Sequence, residues 1–101
     1  GLDRLVEDLI DRLGSIDAAY IIGDYARGID SGLIDVVLVG IVDSDTLEKF
    51  IIKTGNLIDR KIRPLVLDQE EFEKLRARLD IDHALPIWNK AKDSISQRLV
   101  T

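Results

Sequence analysis

The chain has 101 residues, 46% of them hydrophobic and 33% charged, which predicts a single small domain over 1–101. Its net charge of −5 makes it a poor candidate for binding nucleic acid by itself, because that affinity depends on Lys and Arg neutralising phosphates. It has no cysteine, which excludes disulfides and cysteine zinc sites and is compatible with a cytoplasmic protein. No apolar run is long enough to span a bilayer and no signal peptide is visible, so we expect no membrane partner.

The start of the chain carries a further hint about its context. There is no methionine, and the sequence opens with Gly1-Leu2-Asp3. Because a natural full-length protein begins with Met, we expect a piece of a longer protein, with the missing part upstream.

The first half of the chain predicts one helix and two strands. Apolar residues at helical spacing predict an amphipathic helix over 2–13 that ends at Gly14. A short apolar strand follows over 18–22, and then a turn over 24–33. The near-continuous apolar run 34–40 predicts a central strand that is covered on both faces.

The middle of the chain continues with a helix and a strand. Asp45, with Glu48 three residues later, predicts a capping-box start for a helix whose apolar stripe runs to residue 58. A third strand is predicted over 61–67. It contains Pro64, which lacks an amide donor and therefore predicts an edge position or a bulge.

The last third of the chain begins with another capping pattern. Asp68 and Glu71 precede a helix whose apolar positions are Phe72, Leu75 and Leu79. Residues 85–88 predict a short extended segment, and 90–100 a last helix. The whole order predicts an α/β (α+β) fold, a small mixed sheet with helices mainly on one face.

The most informative segment lies between the first two strands. Gly23-Asp24-Tyr25-Ala26-Arg27-Gly28 forms a glycine-bounded turn, and a strand containing Asp35 follows it. Glycines in such a turn let the backbone approach a phosphate closely. A carboxylate at the start of an apolar strand needs a cation, a hydrogen bond or an exposed edge.

This segment resembles the signature of the nucleotidyltransferase superfamily, in its minimal form. The family pattern is a Gly-Ser turn followed by an Asp-x-Asp pair on the next strand, and the pair holds magnesium against nucleotide phosphates. Here Asp24 stands at the Ser position and Leu33 at the first Asp position, so only Asp35 of the pair is kept. The third carboxylate of the family would fall at Arg63 or Leu65, and strand 61–67 has no acidic residue.

A second, weaker match concerns the end of the fold. The run 60–67, leading to Glu70-Glu71-Phe72, resembles a subgroup in which such a domain follows an arsenic-repressor-type winged helix-turn-helix. That resemblance implies a cytoplasmic transcriptional regulator. It would bind DNA only through the missing upstream domain and would form a homodimer through the missing half.

The resemblance assigns the candidate site residues, beside plainer alternatives. Gly23, Asp24, Arg27 and Gly28 would bind nucleotide, and Asp35 with Asp24 would hold a metal ion, with magnesium as the cofactor if the site functions. The glycines could equally serve a tight turn, and Arg27 could be solvated.

Two further carboxylate arrangements stay open. Asp30 could join Asp24 and Asp35 in a rebuilt metal site. Alternatively, Asp35 could be a strand-end cap or pair with an arginine, either Arg27 or Arg63. The lone histidine, His83, makes a zinc site improbable.

Three functions remain open from the sequence. The first is a non-catalytic nucleotidyltransferase-like domain that senses a ligand, such as a nucleotide, within a transcriptional regulator. The second is an active magnesium-dependent nucleotidyltransferase that uses a nucleoside triphosphate. The third is a purely structural dimerisation module, for which we expect a turn closed over by the protein and Asp35 paired internally.

Overall fold

The computed structural model describes residues 2–91 of the chain. In chain order, its elements are α1 (Leu2–Leu13), β1 (Gly14–Ile22), α2 (Gly23–Ala26), β2 (Leu33–Val42), α3 (Ser44–Ile58), β3 (Lys61–Leu67), α4 (Gln69–Leu75), a 3-10 helix (Ile81–His83) and β4 (Leu85–Asn89). The last predicted helix, 90–100, falls almost entirely outside the described residues.

The four strands form one mixed sheet in the order β3-β2-β1-β4. β2 pairs antiparallel with β1 and parallel with β3, and β4 pairs antiparallel with β1. The predicted central position of β2 is confirmed. The predicted edge position of the Pro64 strand is confirmed as well, since β3 has a neighbour on one side only.

Helices cover the sheet unequally, as predicted. The two long helices α1 and α3 pack on one face, around a core that contains Ile10, Leu13, Ile16, Ala19, Leu38 and Leu47. The shorter α4 and the 3-10 helix pack on the other face, around Ala18, Val37, Val39, Leu67, Phe72 and Ile81. Side chains alternate along a strand, so Asp35 lies on the same face as Val37, the face that carries α4.

β1 and β2 are longer than the sequence indicated. β1 starts at Gly14 rather than at residue 18, and the register between the two strands shifts between Ile16 and Ala18. Polar residues and this bulge interrupt the apolar pattern, so periodicity alone did not predict residues 14–17 as part of the strand. Gly40 has φ of +139° and lies so near β1 that a Cβ would be 2.3 Å from the Ser15 carbonyl oxygen.

The helix ends confirm one capping prediction, correct the other, and show that α4 is shorter than predicted. Asp68 and Glu71 form the predicted capping box of α4. α3 is capped by Asp43 rather than Asp45, because Asp43 accepts the Asp45 amide and the Thr46 hydroxyl. α4 ends at Leu75, so Leu79 joins the core from a following turn and not from the helix.

The charged side chains of residues 8–91 lie at the surface, since no polar or charged residue in this range is buried. Within residues 2–91, no helix has the length and apolar character needed to cross a membrane.

Candidate functional site

The predicted nucleotide-binding residues lie together on one open turn. α2 begins directly after β1, and Gly23, with φ of +71°, lets the chain leave the strand. The Arg27 and Gly28 amides then bond to carbonyls of the same turn, and the Ile29 amide donates to the Asp24 carbonyl at 2.9 Å. No residue of α2 is buried, so the turn is ordered by its own backbone and stays open to solvent.

Asp35 is paired with Arg63 on the neighbouring strand. The two residues are register partners in the parallel β2–β3 pair. Arg63 Nε donates to Asp35 Oδ1 at 2.7 Å, and Arg63 Nη2 donates to Asp35 Oδ2 at 2.9 Å. This is the bidentate fork of an arginine on a carboxylate. Of the two arginines proposed as partners from the sequence, the structure shows Arg63.

Gly23 and Asp24 lie close to this pair. A Cβ on Gly23 would be only 3.3 Å from Asp35 Oδ2. The hydrogen bonds that Arg63 donates to Asp35 raise the pKa of Arg63, and a smaller attraction to Asp24 acts in the same direction. Arg63 therefore lies within the electrostatic reach of both carboxylates that the resemblance assigns to a metal ion.

The donor set does not fit a magnesium site of the family's kind. Leu33 supplies no oxygen, and Arg63 places a cation at one of the two positions where a third carboxylate is expected. Asp35 is itself occupied by that cation. The described part of the chain contains no group of three or more His, Cys, Asp or Glu residues that could hold a metal ion.

Asp30 is bound by Arg60. Arg60 Nε lies 3.1 Å from each of its carboxylate oxygens, and Arg60 Nη2 also donates to it. Asp30 Oδ1 accepts the Gly32 amide as well. These bonds, first the one from Arg60 and then the one from Gly32, lower the pKa of Asp30. Asp30 therefore ties the loop before β2 to the end of α3, and it does not join Asp24 and Asp35.

Arg27 contacts a residue that the sequence did not suggest. Its guanidinium lies 3.5 Å from Asp80 Oδ2 and 4.0 Å from Asp24 Oδ1. Asp80 Oδ1 is 2.7 Å from His83 Nδ1. Asp80 is 53 positions from Arg27, and no local pattern signals such a contact. It depends on the path of the chain between α4 and β4.

Comparisons with known proteins bear on the fold. No family model matches the chain, and a search of curated proteins gave no match. Among solved structures, a mutant of the MntA–HpeT toxin–antitoxin pair superposes with a TM-score of 0.60 at 14% identity, covering 98% of this chain and 88% of that one. A toxin–antitoxin structure with AMP-PNP gives 0.60 at 15% identity, covering 96% and 87%.

A third similar structure has a named source. It is the tri-AMPylated HEPN toxin of Shewanella oneidensis in complex with MNT antitoxin, and it superposes with a TM-score of 0.54 at 14% identity, covering 96% of this chain and 84% of that one. Identities this low show a shared fold alone. The chain thus has the mixed α/β, nucleotidyltransferase-like fold that the sequence predicted.

Proposed function

We propose that the domain is a non-catalytic nucleotidyltransferase-like module that binds a regulatory ligand, with a nucleotide as the first candidate. The observation that carries the proposal is the bidentate pair between Arg63 and Asp35. Magnesium in proteins is usually held by one or two carboxylates together with phosphates. Here the one carboxylate of the signature strand is already taken by a cation from the next strand.

Electrostatics indicates how such a site could still accept an anion. A carboxylate beside a phosphate is repulsive unless a cation lies between them. In the proposed module the Arg63 guanidinium balances the charge of Asp35, so a phosphate would need no divalent ion to approach the turn. Ligand binding would then be independent of magnesium, and no metal would activate a leaving group.

The purely structural alternative has mixed support. It predicts that Asp35 is paired within the protein, and the contact with Arg63 is such a pair. Its second expectation was a turn closed over by the protein, whereas the residues of α2 are unburied. The open turn is why we prefer a ligand-binding role.

Isothermal titration calorimetry tests the proposal. The domain and its Asp35→Ala variant are titrated with ATP and GTP, each with and without magnesium. We expect both nucleotides to bind in the absence of magnesium. Binding that requires magnesium, or the absence of any binding, would contradict the proposal.

A second candidate is an active magnesium-dependent nucleotidyltransferase that uses a nucleoside triphosphate. The comparisons favour it, because the chain shares the fold of structures that contain AMP-PNP and a tri-AMPylated toxin. It requires Asp24 and Asp35 to bind magnesium after Arg63 moves away. Magnesium-dependent ATP binding that disappears in Asp35→Ala, with AMP found by mass spectrometry on a co-purified protein, would establish it.

We also propose the wider context that the sequence resemblance implies. The domain would serve a cytoplasmic transcriptional regulator that reaches DNA through another domain and forms a homodimer. Light scattering on the full protein and on the domain separates these claims. A dimer formed by the full protein and a monomeric domain are expected, and a monomeric full protein would contradict the proposal.

A further inference from the structure

One carboxylate, that of Asp80, connects the turn 23–28 with the segment before β4. Asp80 accepts from His83 through one oxygen, at 2.7 Å, and faces Arg27 through the other, at 3.5 Å. These residues, with Ala26, line a shallow cavity of about 440 Å³ beside α2. The Asp80 carboxylate is therefore shared by an arginine and a histidine, and the arginine lies on the predicted nucleotide-binding turn.

Asp80 is held in an unusual backbone conformation at this point. Its φ is +53°, in the left-handed region, which Asp and Asn enter more readily than other residues that have a Cβ. The conformation places the side chain between the turn after α4 and the 3-10 helix, where it reaches both partners. An Asn at this position would keep the backbone preference and the shape of the side chain, and would lose the charge and one of the two acceptor oxygens.

We propose that Asp80 is a positioning residue for Arg27, and that protonation of His83 decides how strongly Asp80 holds that arginine. The inference rests on the proposed ligand-binding function of the turn. When His83 is charged, it shares the Asp80 carboxylate and leaves Arg27 freer to meet an anionic ligand. When His83 is neutral, the full charge of Asp80 draws Arg27 back.

The surrounding charges agree with this sharing. The hydrogen bond between His83 and the accepting Asp80 carboxylate raises the pKa of His83, Asp82 adds to the increase, and Arg27 opposes it. The same pair of cations, His83 first and Arg27 second, lowers the pKa of Asp80. His83 therefore keeps its proton to a higher pH than a free histidine, while the lowered pKa of Asp80 keeps that carboxylate ionised at neutral pH.

The chain offers a matched control. Asp59 has the same φ of +53° and caps α3, and no contact joins it to Arg27 among those described. Asp80→Asn and Asp59→Asn thus remove the same charge from the same backbone geometry, one beside the turn and one elsewhere.

The test measures ATP affinity without magnesium by calorimetry between pH 5.5 and 8.5, for the wild type and both variants. The ATP phosphates titrate identically in every sample, so the ratio of variant to wild-type affinity reports on the protein. We expect Asp80→Asn to bind about three- to tenfold more tightly than the wild type above the His83 pKa. The ratio should approach one below that pKa, and Asp59→Asn should match the wild type throughout. A ratio of one at every pH, or the same change in Asp59→Asn, would overturn the proposal.

A second measurement needs no ligand, because the chain contains one histidine. Proton NMR follows the ring of His83 through its titration. Asp80→Asn should lower its pKa, and Arg27→Gln should raise it, since the competing cation is gone. An unchanged pKa in Arg27→Gln would show that Asp80 is not shared. If no variant binds ATP, the proposed function falls, and the NMR result alone decides whether Asp80 couples the two cations.

Discussion

Arg63 and Asp35 face each other across two parallel strands and join through two hydrogen bonds, of 2.7 and 2.9 Å. The strand register puts them side by side, so the pairing follows directly from the fold. In the family that the signature resembles, position 63 is one of two places where a third carboxylate would fall. At that position this chain has a cation, and it pairs with the one carboxylate that the signature strand keeps.

The N-terminus of α3 provides a first prediction. Asp43→Ala removes the acceptor for the Asp45 amide and the Thr46 hydroxyl, so it should lower the free energy of unfolding by about 1 kcal/mol. Asp45→Ala removes only a favourable charge from the first turn and should cost a few tenths, about 0.3 kcal/mol. Urea denaturation of both variants measures the difference. A larger loss in Asp45→Ala would mean that the helix starts where the sequence pattern put it.

Gly28 and Gly40 both have positive φ, but only at Gly40 would an added Cβ also collide with other atoms. Gly28→Ala should lower the free energy of unfolding by about 1 kcal/mol, since φ is +82° but nothing lies within 4 Å of the added Cβ. Gly40→Ala should lower it by more than about 2 kcal/mol, because its Cβ would also press on the backbone of β1. Equal losses in thermal or urea denaturation would show that β1 and β2 are less closely paired there.

Phe72 anchors α4 to the sheet. It is 3% exposed, its ring stacks on Tyr20 with centroids 5.5 Å apart, and Arg76 lies 5.1 Å above it. Phe72→Ala should lower the free energy of unfolding by about 3–5 kcal/mol, which for a domain this size can abolish folding. Ile52→Ala, at a position 57% exposed, should change it by less than about 0.5 kcal/mol. Similar effects of the two changes would contradict the packing of α4.

The fold was largely predictable because most elements have clear periods and ends. α1 and β3 have the predicted bounds, since Gly14 ends an apolar helical stripe and charged residues flank a short apolar run. The start of β1 was not predictable, because its bulge near Asp17 breaks the alternation that defines a strand. The α3 cap was placed two residues late, since several nearby acidic residues satisfy the same pattern.

Contacts within the site were predictable only between residues on neighbouring strands. Asp35 and Arg63 could be proposed as partners because both belong to strands expected to be adjacent. The Asp80 contact with Arg27 could not, because it depends on a turn whose path no periodic pattern defines. Leu33 was recognised as a missing ligand through the resemblance, which places an Asp at that position.

Acid should weaken the tie between the loop before β2 and α3. The pKa of Asp30 is lowered in the folded protein, chiefly by Arg60. Its contribution to stability is therefore complete above the ordinary value of 3.8 and is lost as the pH falls through the lower folded value. Asp30→Asn should be less stable than the wild type at neutral pH, and the gap should close at strongly acidic pH. A gap that stays constant between pH 7 and pH 2 would contradict the pairing.

The central claim is that Arg63 and Leu33 prevent a divalent metal ion from binding at Asp35. The most direct measurement is a titration of the domain with Mn²⁺, followed by the loss of the free-ion signal in electron paramagnetic resonance. The wild type and Leu33→Asp alone should bind no Mn²⁺ at Asp35, because Arg63 still pairs with that carboxylate. Leu33→Asp combined with Arg63→Asp should bind one equivalent, and adding Asp35→Ala to that pair should remove it. One equivalent bound by the wild type and lost in Asp35→Ala would contradict the account and favour an active nucleotidyltransferase.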